Sequence, residues 1–173
     1  FEEAIASHQQ ALNLEPNHTD ARANLGQALV SLGRFDEALR ELQAVKTATP
    51  DHLDAELGLA RCHLLKGRFI EGWAAYEARW RRKGNAKPKL SGPEWDGSDP
   101  HGRTILLYAE QGLGDTIQFV RYAKLVSARG ATVVVRCPRA LTRLVTSVPG
   151  VSKVLSGPDM TSAFDAHIAL LSL

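Results

Sequence analysis

Apolar and polar positions along the chain follow two different rhythms. Up to about residue 83, amphipathic stretches of helical length are separated by single proline or glycine breaks at Pro16, Gly33, Pro50 and Gly67. This pattern predicts helices over about 1–14, 19–32, 35–48, 53–66 and 69–82. Beyond Gly102 the apolar residues gather instead into short runs at 105–109, 131–136, 152–155 and 166–170. Amphipathic segments at about 115–128 and 138–147 separate the first three runs. Buried strands alternating with helices predict a parallel sheet. Between the two rhythms, Pro88, Pro93 and Pro100 with Gly92, Gly97 and Gly102 leave no room for a regular element. The expected organisation is a helical region over 1–83, a Pro/Gly-rich linker over 84–103 and an α/β region over 104–173.

The helical region repeats. Phe1, Phe35 and Phe69 lie 34 residues apart, and the spacing returns for Pro16 and Pro50, His18 and His52, Asp20 and Asp54, and Ala21 and Ala55. A 34-residue period means stacked helical hairpins. Leu25-Gly26, Leu29, Gly33-Arg34-Phe35-Asp36-Glu37-Ala38, Leu42 and Pro50 resemble the tetratricopeptide repeat (TPR) pattern nearly position for position. Gly26 and Ala38 are the small residues that let paired helices approach closely. The next unit keeps Leu59-Ala60, Gly67-Arg68-Phe69 and Tyr76, but has Gly72 at the small position and Gly84 where a proline would close it, as expected of a last repeat. Phe1 matches the start of a second helix, which leads to the expectation that this chain is cut from a longer array.

Composition narrows the class without choosing a chemistry. A chain of 173 residues with 44% hydrophobic and 23% charged residues has core enough for two modules. A net charge of +2 gives no case for nucleic acid. No apolar stretch approaches the roughly 20 residues of a membrane helix, and the N-terminus does not read as a signal peptide. Cys62 and Cys137 lack metal spacing and fall in different modules, so both are expected to be reduced thiols in a cytoplasmic protein. The six histidines offer no metal pair at helical spacing, and neither a metal nor a cofactor is expected.

The candidate chemistry lies in Ala109-Glu110-Gln111-Gly112-Leu113-Gly114-Asp115-Thr116, read as strand, glycine turn and helix start. Gly112 and Gly114 are assigned to turn geometry, with ligand contact through backbone N–H groups as a second role. Asp115 at the helix start is a candidate general base or a simple helix cap, and the two are compatible. Glu110 is the fallback base. A dinucleotide-binding reading is weak, because Ile117 stands where the third glycine belongs and the second strand ends in Arg136-Cys137-Pro138 without an acid for a ribose.

Trp95-Asp96-Gly97, Gly102-Arg103-Thr104-Ile105-Leu106-Leu107 and Glu110-Gln111-Gly112-Leu113-Gly114-Asp115-Thr116-Ile117-Gln118-Phe119-Val120-Arg121-Tyr122-Ala123 resemble bacterial proteins that join TPR repeats to a glycosyltransferase-like domain similar to the heptosyltransferases (glycosyltransferase family 9). The resemblance implies an all-α TPR solenoid followed by a Rossmann-like α/β parallel sheet, the acceptor-side part of a GT-B fold. It implies transfer of a sugar from a nucleotide-sugar donor to an unknown glycan or protein acceptor. Asp115 would be the base; Gln111, Gly112, Leu113, Gly114 and His167 would line the acceptor site. Gln118-Phe119-Val120-Arg121 departs from the lipopolysaccharide enzymes, which tend to have a proline there. The donor half of a GT-B enzyme is not in this chain, so the fragment alone is expected to be inactive and to bind no nucleotide sugar.

The repeats allow a reading of another class, a non-catalytic scaffold that binds protein or peptide. Its groove would present Asp20, Ala23, Gln27 and Val30, then Asp54, Leu57, Arg61 and Leu64. The Lys/Asn clamp for a C-terminal carboxylate is missing, with Ala23, Gln27, Leu57 and Arg61 at the relevant places. The basic run Arg79, Arg81, Arg82, Lys83, Lys87 and Lys89 reads as a solvated helix end. Trp73, Tyr76 and Trp80 are expected to form a packing face.

Overall fold

The computed structural model describes residues 1–157 and 163–173. Two compact units divide the chain, Phe1–Lys87 and Pro88–Leu173.

The first unit is a series of antiparallel helices: α1 (Glu2–Leu14), α2 (Thr19–Ser31), α3 (Phe35–Ala48), α4 (Leu53–Leu65) and α5 (Phe69–Tyr76). Each boundary has a local cause. Helices α2 and α4 end in the same glycine motif. Gly33 and Gly67 both take φ near +75°, which a side chain disfavours. This lets Gly33 N donate to Val30 O and Arg34 N to Leu29 O, with Gly67 to Leu64 and Arg68 to His63 as the counterparts one repeat later. Helices α1 and α3 stop directly before Glu15-Pro16 and Thr49-Pro50, where the residue before proline is pushed out of the helical region.

Packing explains the small residues. Leu42 of α3 is fully buried and sits against both neighbouring helices at glycines. A Cβ on Gly26 of α2 would fall 2.5 Å from Leu42 Cγ, and one on Gly58 of α4 would fall 2.9 Å from Leu42 Cδ1. Ala38 is fully buried in the same core, with Ile5, Leu25, Leu29 and Val45 around it. Gly72 serves α5 in the same way, since a Cβ there would meet the Leu64 side chain at 2.7 Å and Leu64 N at 2.9 Å.

The fifth helix is shorter than the sequence pattern predicts. It leaves α geometry at Tyr76 and continues as a 3-10 turn over Glu77–Arg81. Arg79, expected in a solvated helix end, is 2% exposed instead. Its guanidinium stacks on Tyr76 at 5.2 Å and on Trp80 at 4.7 Å, and donates to Glu77 Oε1 at 2.6 Å and Tyr76 O at 3.3 Å. Lys87 lies 5.6 Å over the same Trp80 ring, while Trp73 meets Tyr76 edge-on.

The second unit is a four-stranded, all-parallel sheet of β1 (Thr104–Tyr108), β2 (Thr132–Arg136), β3 (Val151–Leu155) and β4 (Ala166–Ala169), in the order β3-β2-β1-β4. Residues Ile105–Tyr108 of β1 are all buried, as a central parallel strand requires. Helices α6 (Leu113–Phe119) and α7 (Ala123–Ala128), joined by a 3-10 turn, connect β1 to β2. A 3-10 turn and the short α8 (Thr142–Thr146) connect β2 to β3. The chain then returns past β1 to place β4 on its far side.

Residues 88–103 belong with this second unit. Trp95 N donates to His167 O at 2.8 Å and His167 N to Pro93 O at 3.1 Å, so Glu94 forms a single parallel bridge on β4. Trp95 is buried, donates through Nε1 to Ser98 O, and is covered by Arg129 at 5.5 Å.

Candidate functional site

Strand order reverses at β1, because β2 and β3 lie on one side of it and β4 on the other. In open parallel sheets this is where connections diverge and leave a crevice at the strands' C-terminal ends. The segment 109–116 lies at that end of β1, beside the 3-10 turn Leu170–Ser172 that follows β4. Glu110 ties the two together. It is half-buried rather than solvated, and its Oε1 accepts from Leu171 N at 3.3 Å.

Helix α6 begins two residues earlier than the sequence pattern predicts, with Gly112 as its N-cap. Asp115 is therefore the third residue of the helix and not the N-cap residue, and it caps the start of α6 only through its side chain. Its Oδ2 accepts from Gly112 N at 3.1 Å, the acidic half of a capping box; Gly112 has no side chain to supply the other half. The second carboxylate oxygen has no hydrogen-bond partner among the described residues. Thr116, buried behind it, returns Oγ1 to Gly112 O at 3.2 Å.

The glycines do not act through the left-handed conformation that the motif suggests. Gly112 has φ −66° and ψ 170°, extended backbone open to any residue, and Gly114 is helical. Their effect is to keep side chains away. A Cβ at Gly112 would press on Asp115 Oδ2 at 3.3 Å, and one at Gly114 would project into open space. Gln111 is half-buried, and Leu113 and Ile117, one turn apart on α6, are each 47% exposed. His167 stands apart from this turn: it pairs in register with Leu106, is 9% exposed, and its ring lies between Tyr108 and Phe164.

The other candidate surface is formed by α2 and α4. Asp20, Gln27, Asp54 and Arg61 lie on it, and each is linked to another residue of this face, to His52 ahead of α4 or to the chain beyond α5. Asp20 Oδ1 lies 3.2 Å from His52 Nε2. Gln27 Nε2 donates to Asp54 O at 2.7 Å while its Oε1 accepts from Arg61 Nη1 at 3.0 Å. Asp54 Oδ1 accepts from Arg82 Nη2 at 2.9 Å. Leu57 is only 7% exposed, and Ala23 and Val30 are buried too, so three of the expected groove residues belong to the core.

Sequence reasoning missed the cations that reach this face. Arg81 and Arg82 are exposed, as expected of a solvated helix end, and they also pair with α4: Arg82 with Asp54 and Arg81 with Glu56, which Lys46 also holds at 2.8 Å. Burial raises the Glu56 carboxyl, but the Lys46 and Arg81 hydrogen bonds outweigh it and hold Glu56 below the ordinary carboxylate range. A depressed folded-state value means stability that is present at neutral pH and lost as pH falls through that value. Glu56→Gln should cost no more than about 1 kcal/mol near pH 7 after solvent screening. That cost should shrink in high salt and vanish in acid, as measured by denaturant unfolding at pH 7 and pH 3. A cost that persists unchanged at both would remove the ion pairs as its cause.

Among the described residues no group of acidic, histidine or cysteine side chains suits a metal ion, and no helix is long and apolar enough to cross a membrane. Cys62 and Cys137 are buried free thiols, both raised by that burial.

A tetratricopeptide repeat family model matches residues 1–52. Protein FlbA of Caulobacter vibrioides is 39% identical over 51 residues, which is 28% of this chain and 9% of that protein. A solved O-GlcNAc transferase variant of Thermobaculum terrenum aligns with 91% of this chain at 19% identity and a TM-score of 0.43. The chain spans 31% of that structure's length. With the family match over α1 to α3, and the same hairpin, glycine motif and 34-residue spacing continuing into α4 and α5, the helical unit is a stack of tetratricopeptide repeats.

Proposed function

We propose that this chain is part of a TPR-bearing glycosyltransferase, with the α/β unit forming the acceptor side of a GT-B catalytic domain and the repeats binding a protein or peptide acceptor. The observation that carries the reading is the Gly112-Leu113-Gly114 turn at the sheet's reversal point, where the two glycines add no side chain, with Asp115 held at a fixed place beside it. An inverting transfer needs one carboxylate in reach of the acceptor hydroxyl while the anomeric carbon gains positive character. Oδ1 of Asp115, left over from the capping bond, suits that task. Exposed N–H groups at Leu113 and Gly114 suit an acceptor oxygen. The nucleotide part of the donor would be bound by the other half of such a fold. A cytoplasmic setting, where nucleotide sugars are made and thiols stay reduced, belongs to the same proposal.

A second reading, a scaffold protein without catalysis, is favoured by one observation: Asp115 already has a structural task in capping α6. The test that separates the two is to incubate the complete protein carrying this chain with labelled UDP-, GDP- and ADP-sugars and an acceptor peptide library. Transfer or slow hydrolysis of one donor supports the enzyme. Peptide capture with every donor left intact supports the scaffold and overturns the enzyme reading.

A further inference from the structure

One guanidinium on the α2/α4 face is held in place and yet meets no acid. Gln27 of α2 reaches across to α4, where its Nε2 donates to Asp54 O at 2.7 Å and its Oε1 accepts from Arg61 Nη1 at 3.0 Å. Gly58 makes the crossing possible, because a Cβ there would fall 2.5 Å from Gln27 Nε2. Arg61 is exposed, and among the described residues no carboxylate pairs with it. An exposed arginine ordinarily gives up rotamer freedom on meeting a ligand. Here the bond to Gln27 already restrains the side chain, and the remaining N–H donors of its planar fork have no partner among the described residues.

We propose that the α2/α4 face selects acidic peptide segments, with a carboxylate of the peptide taken by Arg61 and an apolar side chain of the peptide resting on Leu65. This rests on the repeats being the acceptor-binding surface, as proposed above, and gives that acceptor its chemistry. A guanidinium and a carboxylate match in two parallel hydrogen bonds, a geometry that a neutral amide does not offer. Leu65 stands one turn beyond Arg61 on the same side of α4 and is 59% exposed.

The other charges of this face leave room for one more anion. Glu56 is already taken by Lys46 and Arg81, and Asp54 by Arg82. Lys83, next along the chain, is exposed and without an acid among the described residues, so it adds to the attraction. Asp20 opposes it. That carboxylate faces His52 Nε2 and lies two turns before Gln27 on α2, roughly 10 Å along the helix. At physiological salt a separation of that order exceeds the screening length, so Asp20 weighs little against a carboxylate held directly by Arg61.

The test is the fluorescence anisotropy of two labelled peptides titrated with the complete chain, one of repeated Ser-Glu-Leu and one with Gln in place of each Glu. At physiological salt the acidic peptide should bind about fivefold more tightly than its amide counterpart. Arg61 is exposed, so Arg61→Gln should fold as the wild type does, and it should bring the two affinities together. Arg61→Lys keeps the charge without the planar fork and should retain only part of the preference. Equal affinities of the two peptides for the wild type would overturn the acidic preference while leaving peptide binding in place. No binding of either peptide would overturn the peptide-binding reading along with it. A preference that survives Arg61→Gln would belong to the basic run 79–89 and would overturn the role of Arg61.

Discussion

Leu42→Ala should destabilise the helical unit by about 4 kcal/mol, in the upper half of the range for leucine truncation in a core. The reason is what surrounds the side chain. Leu42 is fully buried and its methyl groups fill the places where Gly26 and Gly58 have no side chains. Truncated cores recover part of their loss when neighbours collapse inward, and glycines have nothing to move. Gly26→Ala alone should also destabilise, by about 1–3 kcal/mol, because its Cβ would lie 2.5 Å from Leu42 Cγ and the helix backbone must shift. Put together, the two changes should cost clearly less than their sum, since an alanine at 26 fits the space that alanine at 42 leaves. Urea unfolding of the four proteins of this cycle measures the coupling directly. Additive costs would mean that α2 and α3 do not meet at this pair as described.

The close approach of paired helices at Gly26 was legible in the chain because repetition made it so, whereas Leu42 as the side chain that fills it was not. A 34-residue period fixes which residues are equivalent, and Gly26, Ala38 and Gly72 stand out as small residues at helix-pairing positions. The four helices from α1 to α4 follow the punctuation to within a residue, since glycine in the left-handed region and proline after a helix act locally. The fifth helix shows where this kind of reading stops. Nothing in the spacing of Trp73, Tyr76 and Trp80 says that Arg79 will turn inward between two rings and tighten the last turn into 3-10 geometry. The same holds for Arg81 and Arg82, whose partners Glu56 and Asp54 are more than 20 residues away.

The α/β unit divides in a similar way. The central strands β1 and β2 were visible as apolar runs, because parallel strands are buried on both faces, whereas β3, read as buried, is an edge strand with Ser152 and Lys153 exposed. The bridge between Glu94 and β4 was not visible, because a single pair has no period and its flanks read as breakers. Nor was the role of the glycine turn. Its residues were read as a sharp bend that needs glycine, yet the backbone there is ordinary and the glycines instead leave the start of α6 bare. That change in reason matters for function. A turn that needs glycine for its angles explains itself, whereas glycines in ordinary backbone beside a half-used carboxylate belong to the reading proposed above.

Asp115→Asn should therefore lower transfer by the complete protein about 10²–10⁴-fold in kcat, the range for loss of a general base, while moving its melting temperature by little. The substitution keeps an oxygen that accepts from Gly112 N, so the start of α6 stays capped. It removes the ability to take a proton, which is the chemical step assigned to the other oxygen. Asp115→Ala removes both, and should add a loss of about 1 kcal/mol in stability to the same loss of rate. The two tasks of the residue thus separate in one experiment. If the asparagine variant transfers sugar at the original rate and only the alanine variant melts early, Asp115 is a cap and nothing more, and the base must be sought elsewhere. Glu110, half-buried and joined to Leu171 across the same strand ends, would then be the next carboxylate to change.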